Sequence, residues 1–195
     1  MNTFENVILT DYDGVCAYWE HGFHMWMLSK GYKSSFREGF YAVHDKYGIS
    51  VDEAEHLVTV FNNSAAIKHL PPLKDAIKYI RKLHEEHGYV FHCITAIPNT
   101  PFMHEARMEN IHNLFGKTAF ERLVLTNHSA DKVAVLKEYE GTECYWVEDV
   151  MKNAKMGLQF GLRPIIMDRH YNREENHTSI KRLYSWKDIY ELITY

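Results

Sequence analysis

The chain has 195 residues, 46% of them hydrophobic and 14% aromatic, enough for one packed domain or one domain with a modest insertion. Its formal charge of −4 gives no basic face for a nucleic-acid polymer, but a small phosphorylated ligand stays open where a metal reverses the local sign. No apolar run approaches the ~18 residues of a membrane span.

The first element is "NVILTDY" (Asn6–Tyr12), an apolar, β-branched run ending on Asp11 and Asp13, with Gly14 next. The preceding "MNTFE" lacks the basic region of a secretion signal. Cys16, Cys93 and Cys144 are too scattered to read as a disulfide frame, so buried free thiols and a cytoplasmic setting are expected. From Cys16 to Gly88, roughly 70–75 residues carry no convincing strand and about four helical segments, the last closing on "LHEEHG" (Leu83–Gly88). Strand-like runs then follow at "YVFHCIT" (Tyr89–Thr95), "RLVLT" (Arg122–Thr126), "CYWVED" (Cys144–Asp149) and "RPIIMD" (Arg163–Asp168). Helical segments alternate with them. "TPFMHEARMENIHNLFG" has apolar residues at helical spacing, "SADKVAVLKEYEG" runs from Ser129 as N-cap to Gly141, and "SWKDIYELI" opens on Ser185 with Asp188 three residues on.

Strands alternating with helices predict an α/β fold with a Rossmann-like parallel sheet and helices on both faces. The long helical interval then reads as a small cap inserted after the first strand. The expected division is 1–15 and 89–195 for the core and 16–88 for the cap, over the carboxyl edge of the sheet where ligands bind.

Two carboxylates ending a buried strand repel each other and require a cation. Thr95 ends the second strand, Lys132 opens the helix after the third, and Glu148–Asp149 end the fourth. All are expected at one edge of a parallel sheet. The set Asp11-x-Asp13-Gly14-Val15, Thr95, Lys132 and Glu148–Asp149, in this order, resembles the haloacid dehalogenase-like hydrolases, most of which are magnesium-dependent phosphatases. The resemblance implies Asp11 as nucleophile, Asp13 as general acid and base, and Thr95 with Lys132 holding the phosphoryl group and orienting Asp11. It implies a Mg2+ site from Asp11, Asp13 through its carbonyl, and Asp149, with Glu148 behind them.

"DYDGVCAYWE", "REGFYAVHDKYG", "HLPPLKDAI" and "FERLVLT" are further similar, in order and spacing, to the 5'(3')-deoxyribonucleotidases. That likeness implies a nucleoside monophosphate as substrate, with Trp19, Phe40, Tyr41 and Phe61 around the base. Thr95, Ala96, Arg107 and Lys132 would lie by the phosphate. The chain departs from the family pattern at Ala96, where a hydroxyl residue is usual, and at Arg107, which replaces a lysine. "NHSAD" before Lys132 is longer than usual. The rival substrates are sugar phosphates or other small metabolites, and a non-catalytic binding protein of the same fold is a second alternative. The sequence leaves a homodimer open; no membrane or nucleic-acid polymer partner is expected. The histidine pairs His21/His24 and His84/His87 lack a third ligand and read as surface residues. "DRHYNREENH" (Asp168–His177) reads as a solvated connection.

Overall fold

The computed structural model describes residues 4–34 and 42–195, so the Phe40–Tyr41 pair lies outside the described residues. Six strands form one sheet: β1 (Val7–Thr10), β2 (Val90–Ala96), β3 (Phe120–Thr126), β4 (Tyr145–Glu148), β5 (Arg163–Met167) and β6 (Lys181–Leu183). Their spatial order is β3-β2-β1-β4-β5-β6, and every pairing is parallel. Five of these strands were legible as apolar runs. β6 was not, because three residues with two cations at a sheet edge give no apolar signal.

The helices are α1 (Trp19–Ser29), α2 (Val43–Tyr47), α3 (Val51–Asn62), α4 (Ala76–His87), α5 (Pro101–Phe115), α6 (Lys132–Leu136), α7 (Met151–Leu158) and α8 (Trp186–Thr194). Alternation along β1 assigns them to faces. Ile8 packs with Ile80 of α4, Ile111 of α5 and Trp186 of α8, whereas Leu9 packs with Leu136 of α6 and Met156 of α7. A strand buried on both faces is apolar throughout, as β1 is.

Local chemistry sets the ends. Thr100 caps α5, its Oγ1 accepting from the Met103 N–H at 3.2 Å with Pro101 at the first helical position. Ser185 does the same for α8 through the Asp188 N–H at 3.1 Å. The Ser129 cap is corrected: the turn begins at His128, whose N–H donates to the Asp131 carboxylate at 3.1 Å. The extra residues of "NHSAD" form a 3-10 turn, Ser129–Asp131, so the α-helix starts only at Lys132.

Within the 16–88 interval α1, α2 and α3 precede a 3-10 turn at Ala65–His69. The apolar cluster on the α4 side of the sheet continues without break into Phe23, Met27 and Phe61 of this region. α4 itself packs beside α5 and α8. Its leading residue Asp75 accepts the N–H groups of Trp186 and Lys187 at 3.1 and 3.0 Å. α4 thus serves as the crossover helix that a parallel β1–β2 pair requires.

Strand order runs outward from β1 in both directions, through β2 to β3 and through β4 to β6. The crevice at that reversal, outside the carboxyl ends of β1, β2 and β4, is where an open α/β sheet binds ligands.

Candidate active site

The register of the sheet brings the expected residues together. The Asp11 N–H donates to the Val147 carbonyl at 2.9 Å, which sets the end of β1 beside Glu148 and Asp149. Asp11 is 7% exposed, and both of its carboxylate oxygens are engaged. Oδ1 accepts the Tyr12 N–H at 2.7 Å, and Oδ2 lies 2.8 Å from the Lys132 ammonium. Lys132 is wholly buried and lies 2.7 Å from Glu148 Oε1. Burial alone would push its pKa down, but the Asp11 and Glu148 carboxylates outweigh it and hold the ammonium above the usual lysine range. Glu148 Oε2 accepts the backbone N–H groups of Asp149 and Val150 at 3.0 and 2.9 Å. Glu148 is therefore spent on holding Lys132 and the β4 turn.

Asp13 has a different partner. Arg107, on α5 and fully buried, donates both terminal nitrogens to its two oxygens at 2.9 and 2.8 Å. This bidentate pair uses the fork that a lysine lacks. Burial raises the Asp13 carboxyl above its ordinary pKa, with the Arg107 charge working the other way. The guanidinium also lies 4.7 Å over the Tyr12 ring, and the Tyr12 hydroxyl donates to Asn110 Oδ1 at 2.6 Å. Asn110 in turn donates to the Lys68 and Leu70 carbonyls at 3.0 and 3.1 Å. Arg107 does not line the pocket, so the phosphate-contact expectation gives way to an ion pair with Asp13.

A cavity of about 380 Å³ opens beside these groups. Asp11, Asp13, Thr95, Ala96 and Asp149 line its sheet edge, with Ser129 from the turn before α6. Tyr18, Trp19, Glu20 and Val43 line the helical side. The Trp19 ring is fixed: it stacks on Phe23 at 5.0 Å, and its Nε1 donates to Asn62 at 2.9 Å. Phe61 is wholly buried against Trp19, Phe23 and Trp26 and takes no part in the lining. Its expected role in substrate contact is corrected to packing. Lys132 also stays behind the surface and reaches the pocket through Asp11.

The third wall was missed. Arg169, His170 and Tyr171, from the connection after β5, also line the cavity. The Tyr171 hydroxyl donates to Asp149 Oδ2, and Asn172 Nδ2 donates to the Asp149 carbonyl at 2.7 Å. The segment read as a solvated connection is built into the site. A signal existed: it leaves the carboxyl end of a parallel strand, on the edge already assigned to the ligand.

Four carboxylates, Asp11, Asp13, Glu148 and Asp149, thus meet two buried cations, Lys132 and Arg107. Burial, followed by the Glu148 and Asp11 charges, raises the Asp149 carboxyl well above its ordinary pKa. Ligand oxygens of Asp11, Glu148 and Asp149 lie within 4.8 Å of one another. An all-oxygen, excess-anionic donor set fits a hard divalent cation such as magnesium. Gly14 makes the approach possible: it sits at φ +77°, and a Cβ there would fall 2.0 Å from Asp149 Oδ2. The histidines form no comparable group among the described residues. His24 meets the Tyr47 hydroxyl at 2.9 Å, and His84 meets the Tyr89 carbonyl at 2.8 Å.

The fold is that of the haloacid dehalogenase-like hydrolases, and similar solved structures share it. A haloacid dehalogenase-like hydrolase from Streptococcus pneumoniae aligns with a TM-score of 0.68 at 10% identity, covering 97% of this chain and 98% of that one. The HAD-hydrolase YfnB of Bacillus subtilis, in a structure bound to magnesium, aligns with a TM-score of 0.63 at 9% identity over 97% of this chain and 99% of that one. An uncharacterized 32.4 kDa protein of enterobacteria phage T4, from the Gp30-rIII intergenic region, is 26% identical over 193 residues, covering 93% of this chain and 67% of that protein. Residues 5–195 match the family model described as 5' nucleotidase, deoxy (pyrimidine), cytosolic type C protein, and the chain belongs to that family.

Proposed function

We propose that the protein is a magnesium-dependent phosphomonoesterase acting on nucleoside monophosphates, with deoxy forms favoured. The observation that carries this is the pocket itself: Asp11, Asp13, Thr95 and Asp149 at one end and the fixed Trp19 ring at the other. An aromatic plane stacks on a base regardless of its identity, which suits a neutral planar group. The family description supports the nucleotide reading.

Asp11 attacks phosphorus. The P–O bond to the leaving alcohol breaks as the Asp11–phosphorus bond forms, and Asp13 delivers a proton to the departing oxygen. Asp13 then takes a proton from the water that opens the aspartyl-phosphate, which returns Asp11 and releases phosphate. Lys132 holds Asp11 Oδ2 and offsets its charge as a phosphate dianion approaches. Thr95 and Ser129 supply hydroxyls on the phosphate side, Ser129 lining the pocket where Ala96 offers none. Magnesium would be held by Asp11, Asp149 and the Asp13 carbonyl, with Glu148 behind them, and when bound it supplies the charge that lets two anions meet. In this reading α1 to α3 form the cap, and the protein is a cytoplasmic enzyme.

Phosphate release from a panel of ribo- and deoxyribonucleoside monophosphates and sugar phosphates, with and without magnesium, tests this. Turnover of deoxynucleotides that chelator and Asp11→Asn both abolish is expected. Equal, slow release from every ester would keep the chemistry and overturn the nucleotide assignment. No release from protein that binds magnesium would favour a non-catalytic binding protein.

A further inference from the structure

The connection between β5 and β6 is fastened at every turn. Asn172 Nδ2 donates to the carbonyls of Asp149 and Met167 at 2.7 and 2.9 Å. Its Oδ1 accepts from the Arg169 N–H at 3.1 Å and from Arg182, on β6, at 2.6 Å. Asp168 pairs with Arg182 and Arg173 at 3.2 and 3.0 Å. A chain segment so held is a scaffold, and what it presents to the cavity is Arg169, His170 and Tyr171.

Their contacts form a line. The Tyr171 hydroxyl donates to Asp149 Oδ2, and the Arg169 charge acts on that hydroxyl from the same wall of the cavity. The Arg169 guanidinium lies 5.0 Å from the centre of the Tyr18 ring, one residue before α1. Gly14 closes the other side, since a Cβ there would come within 2.9 Å of the Tyr171 hydroxyl as well as of Asp149. Asp149 is thus gripped at its backbone by Asn172 and at one carboxylate oxygen by Tyr171. A carboxylate oxygen of Asp149 lies within 4.8 Å of ligand oxygens of Asp11 and Glu148. Groups that orient a ligating carboxylate in this way fix which lone pairs a metal meets.

We propose that Tyr171 is a positioning residue for the metal ligand Asp149, and that Arg169, seated on Tyr18, holds Tyr171 in place. This rests on the reading of Asp149 as a magnesium ligand. Side chains one step behind metal ligands typically change affinity by about 10–100-fold when removed. Tyr171→Phe deletes one hydroxyl and keeps the ring that fills the wall.

The test is calorimetric titration of Mg2+ into the full-length wild type, Tyr171→Phe, Arg169→Met and Asp149→Asn. Tyr171→Phe is expected to weaken Mg2+ binding about ten-fold or more with an unchanged thermal midpoint. Arg169→Met should weaken it by less, and Asp149→Asn should abolish it. In turnover, Tyr171→Phe should raise the magnesium concentration for half-maximal rate while kcat recovers at saturating metal. Equal or tighter Mg2+ binding by a folded Tyr171→Phe, with Asp149→Asn still losing it, overturns the positioning role alone. Absence of Mg2+ binding in the wild type overturns the metal reading and this inference with it. Should Tyr171→Phe fail to fold, unchanged Mg2+ affinity in Arg169→Met overturns the proposal by itself.

Discussion

The two sides of the pocket are built by different means. On the sheet edge, backbone register does the placing: three parallel strands end level, and Asp11, Thr95 and Asp149 arrive together because their strands do. On the opposite side nothing is in register. Tyr18, Trp19, Arg169 and Tyr171 come from two stretches far apart in sequence, and side-chain contacts outside any strand ladder fasten them to one another and to the site. The first kind of wall tolerates no change in charge. The second tolerates change in chemistry and can therefore set what is bound.

The largest expected effect falls on the first wall. Lys132→Met leaves Asp11 and Glu148 facing each other unpaired in a buried site, and removing one partner of such a set costs about 3–5 kcal/mol. Urea denaturation should show that loss, and the phosphatase rate should fall to background. Next is Gly14→Ala, which drives a methyl into Asp149 from a backbone at positive φ. Magnesium affinity should collapse while the sheet survives, as read by calorimetry beside circular dichroism.

On the second wall the expected change is selective. Trp19→Ala should raise KM for a nucleoside monophosphate by about ten-fold or more, the range of one lost base stack at about 1–3 kcal/mol. KM for ribose 5-phosphate should stay within a small factor, and an equal rise for both esters would place Trp19 in packing only. The smallest effect lies away from both walls, at His92. Arg122 donates to the Tyr139 hydroxyl at 2.9 Å, leaving that hydroxyl to donate to His92 Nδ1 at 2.7 Å, an arrangement for neutral imidazole. Burial, followed by the Arg122 charge, lowers its pKa. Below about pH 6.5 the unfolded chain takes up a proton that the folded one resists, so stability is flat above that value and falls as pH drops through it. Comparing urea midpoints near pH 7 and below about pH 6, the wild type should lose more than His92→Gln.

The same contrast explains what the sequence made legible. Period and strand-end chemistry located β1 to β5 and the set Asp11, Asp13, Thr95, Lys132 and Glu148–Asp149, because one-dimensional order becomes one edge when strands are parallel. The Asp13–Arg107 pair spans 94 positions and carries no periodic signal, so the family likeness alone placed Arg107, and placed it by the phosphate. Phe61 and Trp19 looked alike as aromatics on amphipathic helices; only packing separates the buried ring from the one at the cavity. Tyr171 hid in a polar stretch whose composition matches any surface loop.

The fastening at Tyr12 bears on how this scaffold can be re-engineered. The residue between the two aspartates is bonded to Asn110, and Asn110 grips the carbonyls of Lys68 and Leu70, where the helical region rejoins the core. A graft that exchanges residues 19–62 for a relative's helices leaves this seam intact. One extended through Leu70 would cut it and unsettle the backbone that presents both carboxylates. The joint, more than the helices it carries, sets the boundary for module exchange.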